Sequence, residues 1–272
     1  MNYISIDNIS KAFSDKLLFE NISFGIEKGE KTALVAANGT GKSTMMKILV
    51  GKEESDKGSI SYNENIRIGY LEQLPHFEPE LTIQEVISTG HTDIMAVIQR
   101  YENALLNHVD DNNVATKKEL EQAIAQMDGL QAWSYEQRLK QLLYTFEITD
   151  LSQKVGTLSG GQVKRLALAL VLLDDPDILF LDEPTNHLDM GMIEWLEKYL
   201  TQSTKTLFMV THDRYFLDRV CNKIFELYQG TMYTHNGNYD YYVRKSRERE
   251  ENKRIAAERA GQLLKHELEW MR

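Results

Sequence analysis

The stretch Ala36-Ala37-Asn38-Gly39-Thr40-Gly41-Lys42-Ser43-Thr44 decides the fold class of this 272-residue chain. It follows a strand pattern at Lys31–Val35 and leads into a helical pattern at Ser43–Val50. A glycine-rich turn in this context predicts a phosphate-binding P-loop (Walker A motif), because its glycines let backbone N–H groups converge on phosphate oxygens. Lys42 would reach the β- and γ-phosphates, and the hydroxyl of Ser43 would bind Mg²⁺.

The first position of this motif departs from the usual form, since Ala36 stands where glycine is usual. If the position required a positive φ, alanine would cost on the order of 1 kcal/mol. The departure bears on the loop geometry and on the affinity for nucleotide, but it leaves the P-loop assignment unchanged.

Two more motifs follow along the chain. The apolar strand pattern Ile178–Leu181 delivers the carboxylates of Asp182 and Glu183, which is typical of a Walker B element. Because neighbouring side chains of a strand point to opposite faces, Asp182 would hold Mg²⁺ and Glu183 would orient or deprotonate the attacking water. The motif Leu-Ser-Gly-Gly-Gln at Leu158–Gln162 opens an apolar helix, where exposed N–H groups and the helix dipole favour an anion. The alternatives are a solvated acidic pair and a simple N-capped helix.

The remainder of the chain alternates strand and helix patterns, which predicts an α/β fold with a largely parallel sheet covered on both faces. A helical insertion with three helical patterns occupies residues 84–150, and residues 91–150 have a net charge of −5. The insertion is either a helical subdomain with solvated faces or a partner-binding arm. From about Tyr239 the chain becomes charged and helical, and residues 244–272 have a net charge of +3. This helix has no stop signal before Arg272, so we expect the chain to be part of a longer protein.

The composition excludes a collagen-like chain, a disulfide scaffold and an intrinsically disordered chain. Hydrophobic residues make up 42% and charged residues 26%, as in ordinary soluble globular proteins. The net charge of −10 at pH 7 argues against a protein that coats nucleic acid by charge alone, although it allows a local basic patch. The single cysteine, Cys221, is predicted to be a packed thiol within a helical pattern at Asp218–Asn222. The longest apolar stretch, Leu166–Leu173, is far shorter than the ~20 residues of a membrane span, so we expect no transmembrane segment and a cytoplasmic protein.

Together, the P-loop, the Leu158–Gln162 motif and the Asp182–Glu183 pair resemble the nucleotide-binding domain of the ABC ATPase superfamily. The resemblance assigns Gln73 as the Q-loop glutamine, which senses Mg²⁺ and the attacking water. It assigns His212 as the switch histidine that contacts the γ-phosphate, with a buried structural histidine as the alternative. Phe13 matches the aromatic residue that stacks on adenine, with a core phenylalanine as the alternative.

These matches imply a site for ATP and Mg²⁺. The predicted catalytic residues are Glu183, His212 and Gln73, and the predicted metal ligands are Ser43, Gln73 and Asp182. The predicted nucleotide-binding residues, which include the D-loop aspartate Asp189, are Phe13, Asn38, Gly39, Thr40, Gly41, Lys42, Ser43, Thr44, Ser159, Gly160, Gly161, Gln162 and Asp189.

The stretch Asp182–Asp189, Asp-Glu-Pro-Thr-Asn-His-Leu-Asp, looks like the form typical of the ABC-F class, soluble proteins with two ATPase domains and no membrane domain. Transporter domains more often have Ser and Ala where Asn186 and His187 stand. Residues 211–218 are similar to the ABC-F pattern too, and residues 237–242 look like the start of that class's interdomain linker. The arrangement is closest to Uup-like members.

The resemblance implies a nucleotide-binding domain at residues 1–240, with an arm at 84–150, and the start of a helical linker at 241–272. This would be the N-terminal domain of a protein about twice as long. In the family, two such domains close head to tail over two ATP molecules, so the second domain is an implied partner. The ribosome with its rRNA and tRNA is another, but the acidic arm does not match phosphate contact, which needs Lys and Arg. A membrane-transporter ATPase and a DNA-associated ATPase remain alternatives.

Overall fold

A computed structural model describes residues 2–13, 16–90, 92–111 and 113–270. The strands in this part of the chain are β1 (Asn2–Phe13), β2 (Lys16–Glu27), β3 (Lys31–Ala36), β4 (Lys57–Tyr62), β5 (Ile68–Leu71), β6 (Ile178–Asp182), β7 (Thr206–Val210), β8 (Lys223–Tyr228) and β9 (Thr231–Asn236). The helices are α1 (Lys42–Leu49), α2 (Ile83–Ser88), α3 (Thr92–Asp110), α4 (Val114–Gly129), α5 (Ala132–Thr145), α6 (Gly160–Leu173), α7 (Met190–Gln202), α8 (Arg214–Val220) and α9 (Tyr239–Trp270). The chain therefore has the predicted α/β character.

The chain divides into two compact units. The first contains Met1–Ile68, Asp177–Thr185 and Glu194–Arg272, and the second contains Gly69–Pro176 and Asn186–Ile193. Strand β5 and helix α7 each cross from one unit to the other. No helix among the described residues is both long and apolar enough to span a membrane.

The first unit contains two sheets. Strands β2, β1 and β4 form an antiparallel sheet in this order, and β6, β7, β3 and β8 run parallel in the other, with β9 antiparallel at its edge. All residues of β6 and β7 are buried, which explains why their sequences are almost continuously apolar. The carboxyl ends of these parallel strands meet at one edge, and this edge carries the P-loop after β3, Glu183 after β6 and His212 after β7.

Aromatic side chains hold the two sheets of the first unit together. Phe24 of β2 lies 4.7 Å from Phe225 of β8 and 6.2 Å from Phe208 of β7, measured between ring centroids. Phe208 in turn lies 5.6 Å from Phe180 of β6. Such ring pairs add to the free energy gained by burying their area. The P-loop strand β3 is thus framed by a packed core.

The second unit contains the predicted helical insertion. The three predicted helices correspond to α3, α4 and α5, and the short helix α2 precedes them. Ile98, Met127 and Ala132 form a buried cluster from all three helices, and Tyr101 packs edge-on against Trp133 at 4.9 Å between ring centroids. The insertion therefore has a small core of its own.

The region around Cys221 corrects one expectation. The helix predicted across Asp218–Asn222 is α8, which ends at Val220, and Cys221 follows it with an extended backbone. The thiol is buried, as expected for a packed cysteine, and burial raises its pKa to about 12. After the helix ends at Val220, the N–H of Asn222 donates to the carbonyl oxygen of Lys31 on β3 at 2.9 Å, and β8 begins at Lys223.

Candidate nucleotide-binding site

The P-loop connects β3 to α1 in the first unit. Gly39 and Gly41 have φ values of 74° and 96°, in the left-handed region that glycine adopts without strain. The hydroxyl of Thr40 donates to the carbonyl oxygen of Ala37 at 2.8 Å, which closes the turn on itself. The loop conformation therefore requires two of its glycines.

The expected penalty at Ala36 is absent. Ala36 is the last residue of β3 and pairs with Leu227 of β8. Ala36 is not among the non-glycine residues that have a positive φ in the described part of the chain. Its backbone is ordinary strand, where alanine has no conformational cost.

The amine of Lys42 lies over this loop. It donates to the carbonyl oxygens of Ala36 at 2.9 Å and Ala37 at 3.1 Å. Burial lowers the pKa of Lys42, and the nearby negative charges of Glu183 and Asp182 oppose that effect. A cation held between a P-loop and two carboxylates is suited to bind phosphate oxygens as a point charge.

Both carboxylates at the end of β6 are buried. Asp182 is 1% exposed and Glu183 is 4% exposed. Glu183 has a φ of 49°, a left-handed conformation that is strained for a glutamate and is often found at functional sites. Its N–H donates to the carbonyl oxygen of Val210 at 2.8 Å, which ties this turn to the end of β7.

The structure brings Glu183 and His212 together. The backbone N–H of His212 donates to Oε2 of Glu183 at 3.3 Å, and Nε2 of the histidine lies 3.6 Å from Oε1. The side chain of His212 is 64% exposed, so it is not a core histidine. In this arrangement, the buried carboxylate can accept a proton from water, and the exposed imidazole beside it can contact a charged phosphate.

Two threonines that the sequence reasoning missed lie close in sequence to Glu183 and His212 and contact each other. The hydroxyls of Thr185 and Thr211 lie 3.3 Å apart and are buried. The Thr211 hydroxyl also accepts a hydrogen bond from the N–H of Asp213 at 3.2 Å. Each threonine follows the end of a parallel strand, which is the signal that could have identified them.

Phe13 pairs with Lys16 between β1 and β2, and Lys16 contacts the P-loop. Phe13 is 51% exposed, which does not fit a core phenylalanine and leaves its ring accessible for stacking. The amine of Lys16 donates to the carbonyl oxygen of Gly39 at 3.0 Å, a P-loop contact that the sequence did not reveal.

The predicted residues of the Leu-Ser-Gly-Gly-Gln motif, together with Asp189 and Gln73, lie in the second unit. Ser159 caps α6 through a capping box, in which its hydroxyl accepts from the N–H of Gln162 at 3.3 Å and the Gln162 side chain accepts from the N–H of Ser159 at 2.8 Å. A Cβ at Gly161 would lie 2.9 Å from the carbonyl oxygen of His187, so this position requires glycine. Asp189 caps the start of α7 through a 3.0 Å bond from the N–H of Met192. Gln73 is exposed in a bend after β5.

The donor set in the first unit is suited to Mg²⁺. The hydroxyl of Ser43 and the carboxylate of Asp182 are hard oxygen ligands, and Mg²⁺ in phosphate sites is usually held by one or two such groups together with substrate oxygens. In the residues that the structure describes, no cluster of three or more His, Cys, Asp and Glu side chains could hold a metal. The two oxygen ligands, Ser43 and Asp182, match a Mg²⁺ ion that also binds phosphate oxygens.

A family model described as "ABC transporter" matches residues 19–186, and a second with the same description matches residues 225–272. The chain belongs to the ABC transporter family. This ABC domain is 41% identical to the "Uncharacterized ABC transporter ATP-binding protein YfmR" of Bacillus subtilis, over 100% of this chain and 43% of that protein. It is 31% identical to the "Energy-dependent translational throttle protein EttA" of Mycobacterium tuberculosis, over 98% of this chain and 48% of that protein. It is 33% identical to the "ATP-binding protein Uup" of Haemophilus influenzae, over 94% of this chain and 39% of that protein.

EttA and Uup belong to the ABC-F class, so the predicted resemblance to that class is confirmed. The ABC domain spans less than half the length of each of these three curated relatives. Among solved structures, "Structure of ATP binding subunit of ABC transporter" is similar with a TM-score of 0.64 and 21% identity, over 86% of this chain and 90% of that chain. The "Dimeric structure of a post-hydrolysis state of the ATP-binding cassette MJ0796 bound to ADP and Pi" has a TM-score of 0.59 and 22% identity, over 86% of this chain and 98% of that chain. Both confirm the predicted fold.

Proposed function

We propose that this ABC domain binds ATP together with Mg²⁺ and hydrolyses it to ADP and phosphate. The observation that carries the proposal is the arrangement at the ends of β3, β6 and β7. There the Lys42 amine lies over the P-loop, and the buried Glu183 carboxylate contacts His212. This arrangement supplies a phosphate-binding cation and a base beside it.

Each group has a defined role in the proposed reaction. The backbone N–H groups of the P-loop, from Asn38 to Thr44, and the Lys42 amine bind the phosphates, and Phe13 stacks on adenine. Ser43, Asp182 and Gln73 hold Mg²⁺, which neutralises charge on the phosphate oxygens when bound. Glu183 orients and deprotonates the attacking water.

The proposed active site is completed by a second nucleotide-binding domain. The residues Ser159, Gly160, Gly161, Gln162 and Asp189 lie in the second unit, and Ser159, Gly160 and Asp189 are exposed. In a head-to-tail pair, the Leu-Ser-Gly-Gly-Gln motif of one domain covers the nucleotide of the other. The length of the relatives supports a full-length protein with a second domain, of which this chain is the N-terminal one.

The proposed role of the full-length protein is on the ribosome during translation, in the cytoplasm. The name of the relative EttA as a "translational throttle protein" supports this role. The net charge of +3 on residues 244–272 suits contact with RNA phosphates. A role as a transporter ATPase or a DNA-associated ATPase is tested below.

The catalytic proposal is tested by ATP turnover of the full-length protein and its Glu183→Gln variant. Loss of the base is expected to lower kcat by roughly 10²- to 10⁴-fold while ATP binding persists. Glu194→Gln, an exposed glutamate of α7, serves as the matched control and keeps full turnover. An unchanged kcat in Glu183→Gln would contradict the proposed role.

The shared site predicts that turnover per molecule of the isolated 272-residue chain rises with protein concentration, because two chains must meet. Turnover by a monomer that is independent of concentration would show that no second domain is needed. Analytical ultracentrifugation under the same conditions identifies the monomer.

The biological role is tested with Glu183→Gln in cell extracts that contain ATP. Because this variant is expected to hydrolyse ATP slowly, it should stay bound to its partners in the ATP-bound state. Extracts are separated on a sucrose gradient. Co-migration with ribosomes is the expected result. Retention with membranes would support the transporter alternative, and binding of branched DNA without either would support the DNA-associated alternative.

A further inference from the structure

Helix α6 of the second unit contains a buried lysine. Lys164 is 1% exposed, whereas lysine is almost never fully buried unless its charge is compensated. Its ammonium group donates to the carbonyl oxygen of Glu72 at 2.8 Å and to that of Gln73 at 3.1 Å. Both acceptors lie in the Q-loop directly after β5.

A lysine at this position is not explained by stability alone. An apolar side chain of similar volume often stabilises a buried site as well as a charged group does. Residues 72–78 lie outside the helices and strands, so no regular hydrogen-bond ladder positions this segment. The Lys164 ammonium group therefore anchors the start of this segment through the carbonyl oxygens of Glu72 and Gln73.

The same helix also holds the segment around Asp189. Nη1 of Arg165 lies 3.1 Å from Oε2 of Glu147 and 3.8 Å from Oδ2 of Asp189. Lys164 and Arg165 are adjacent and lie about one turn after the N-cap Ser159. Helix α6 thus contacts both the main chain at Gln73 and the side chain of Asp189.

We propose that Lys164 is a positioning residue that holds the main chain of Gln73 on the helix that begins with the Leu-Ser-Gly-Gly-Gln motif. The inference rests on the proposed ATPase function, in which Gln73 binds Mg²⁺ through its side chain. With its carbonyl group fixed, the exposed amide of Gln73 samples fewer orientations, and the geometry of the metal site is maintained. Partners that orient metal ligands in this way typically change metal affinity or activity 10- to 100-fold when they are removed.

The test uses the full-length protein with Lys164→Met, which keeps the volume and removes the donor. We expect kcat to fall about tenfold and the Mg²⁺ concentration for half-maximal turnover to rise about tenfold. The dissociation constant of a fluorescent ATP analogue without Mg²⁺ stays unchanged. The control is Lys198→Met on an exposed lysine of α7, which leaves all three quantities unchanged.

A double-mutant cycle separates positioning from a general structural effect. If Lys164 acts through Gln73, Lys164→Met lowers kcat no further when Gln73→Ala is already present. An equal loss with and without the Gln73 side chain would overturn the proposal. If Lys164→Met unfolds at the assay temperature, Lys164→Gln replaces it in the cycle, because its amide retains an N–H donor without the charge.

The two proposals fail in different ways. Turnover of the unmodified protein no greater than that of Lys42→Ala would overturn the ATPase function and this inference with it. Clear turnover of the unmodified protein, with kcat and the Mg²⁺ requirement unchanged in folded Lys164→Met, would overturn the positioning role alone.

Discussion

Replacing Arg249 with methionine is expected to release helix α9 from the sheet of the first unit. Arg249 donates two hydrogen bonds of 2.6 Å to the carboxylate of Glu226 on β8, which is 4% exposed. Its guanidinium lies 4.3 Å from the ring centroid of Tyr233 and 5.0 Å from that of Tyr228. A bidentate pair between aromatic rings is among the strongest side-chain contacts available.

The carboxylate has two more donors. Oε2 of Glu226 lies 3.1 Å from Nε2 of His235, and Oε1 accepts from the hydroxyl of Ser246 at 3.1 Å. Burial alone would raise the pKa of Glu226, but the hydrogen bonds from Arg249 and His235 outweigh it and hold the pKa below its ordinary value. Because the folded-state pKa is depressed, this contribution to stability is present above the ordinary pKa of glutamate and is lost as the pH falls through the lower folded value.

The size of the effect follows from these contacts. Removing one partner of a buried ion pair costs about 3–5 kcal/mol, because the other charge is left uncompensated. Here His235 and Ser246 remain as partners of Glu226, so the lower end applies, about 3 kcal/mol. That free energy corresponds to a roughly hundredfold larger population of the state in which α9 is detached.

Amide hydrogen exchange of residues 239–253 measures this population at pH 7. The matched control is Arg254→Met on the same helix, whose partner Glu251 lies 2.9 Å away in an exposed pair. Surface pairs contribute about 0–1 kcal/mol, so exchange changes little there. The double variant Glu226→Gln/Arg249→Met should exchange more slowly than Arg249→Met, because no charge is left buried. Equal exchange in Arg249→Met and Arg254→Met would refute the reasoning.

Ala36, Cys221 and Lys42 each give a further test. Ala36→Gly is expected to leave ATP affinity unchanged in a titration and to lower stability by about 0.5–1 kcal/mol in urea unfolding, because glycine weakens a strand. Cys221 should react with a thiol reagent only after unfolding. Since its folded pKa is raised from 9.0 to about 12, its contribution to stability is present below pH 9.0 and is lost as the pH rises towards 12 in a pH series of urea unfolding. Lys42→Met should weaken ATP binding, measured by fluorescence titration, by roughly 10- to 150-fold, because a charged hydrogen bond contributes about 1.5–3 kcal/mol.

The sequence predicted best those elements whose signals are local. The P-loop is a continuous strand, turn and helix, and β6 and β7 are apolar because both of their faces are buried. Strand β9 was missed, because half-exposed edge strands carry a weak pattern. Its two-residue turn has a positive φ at both Gln229 and Gly230, as in a hairpin turn, and Gly230 is the signal of this turn in the sequence. The contact between Glu183 and His212 joins residues 29 positions apart, so no local pattern indicated it, and the ABC resemblance assigned each residue a role but not this contact.

The attachment of α9 was missed for a different reason. Tyr242, Ser246, Arg249 and Lys253 recur at helical spacing and face the sheet, where they contact His235, Glu226 or Tyr228. A search for apolar periodicity does not detect this stripe, because three of its four members are polar or charged. Charge patterning alone suggests a solvated helix. Only the buried Glu226 on β8, which needs a cationic partner, could have indicated that the helix is attached.

The same attachment has a mechanical consequence. Glu226 pairs with Val35 of β3, and the next pair joins Leu227 to Ala36, the first residue of the P-loop motif. Strand β8 is thus hydrogen-bonded to the P-loop strand and ion-paired to α9, and neither contact can stretch far without breaking. Helix α9 continues from Arg249 to Trp270, a further 21 residues or about 31 Å at 1.5 Å per residue. A rotation of β3 and β8 by about 10° would therefore move the far end of a straight helix by roughly 5 Å. The first turns of α9 are therefore fixed to the sheet that carries the P-loop, and the displacement of the far end would grow with distance from this attachment.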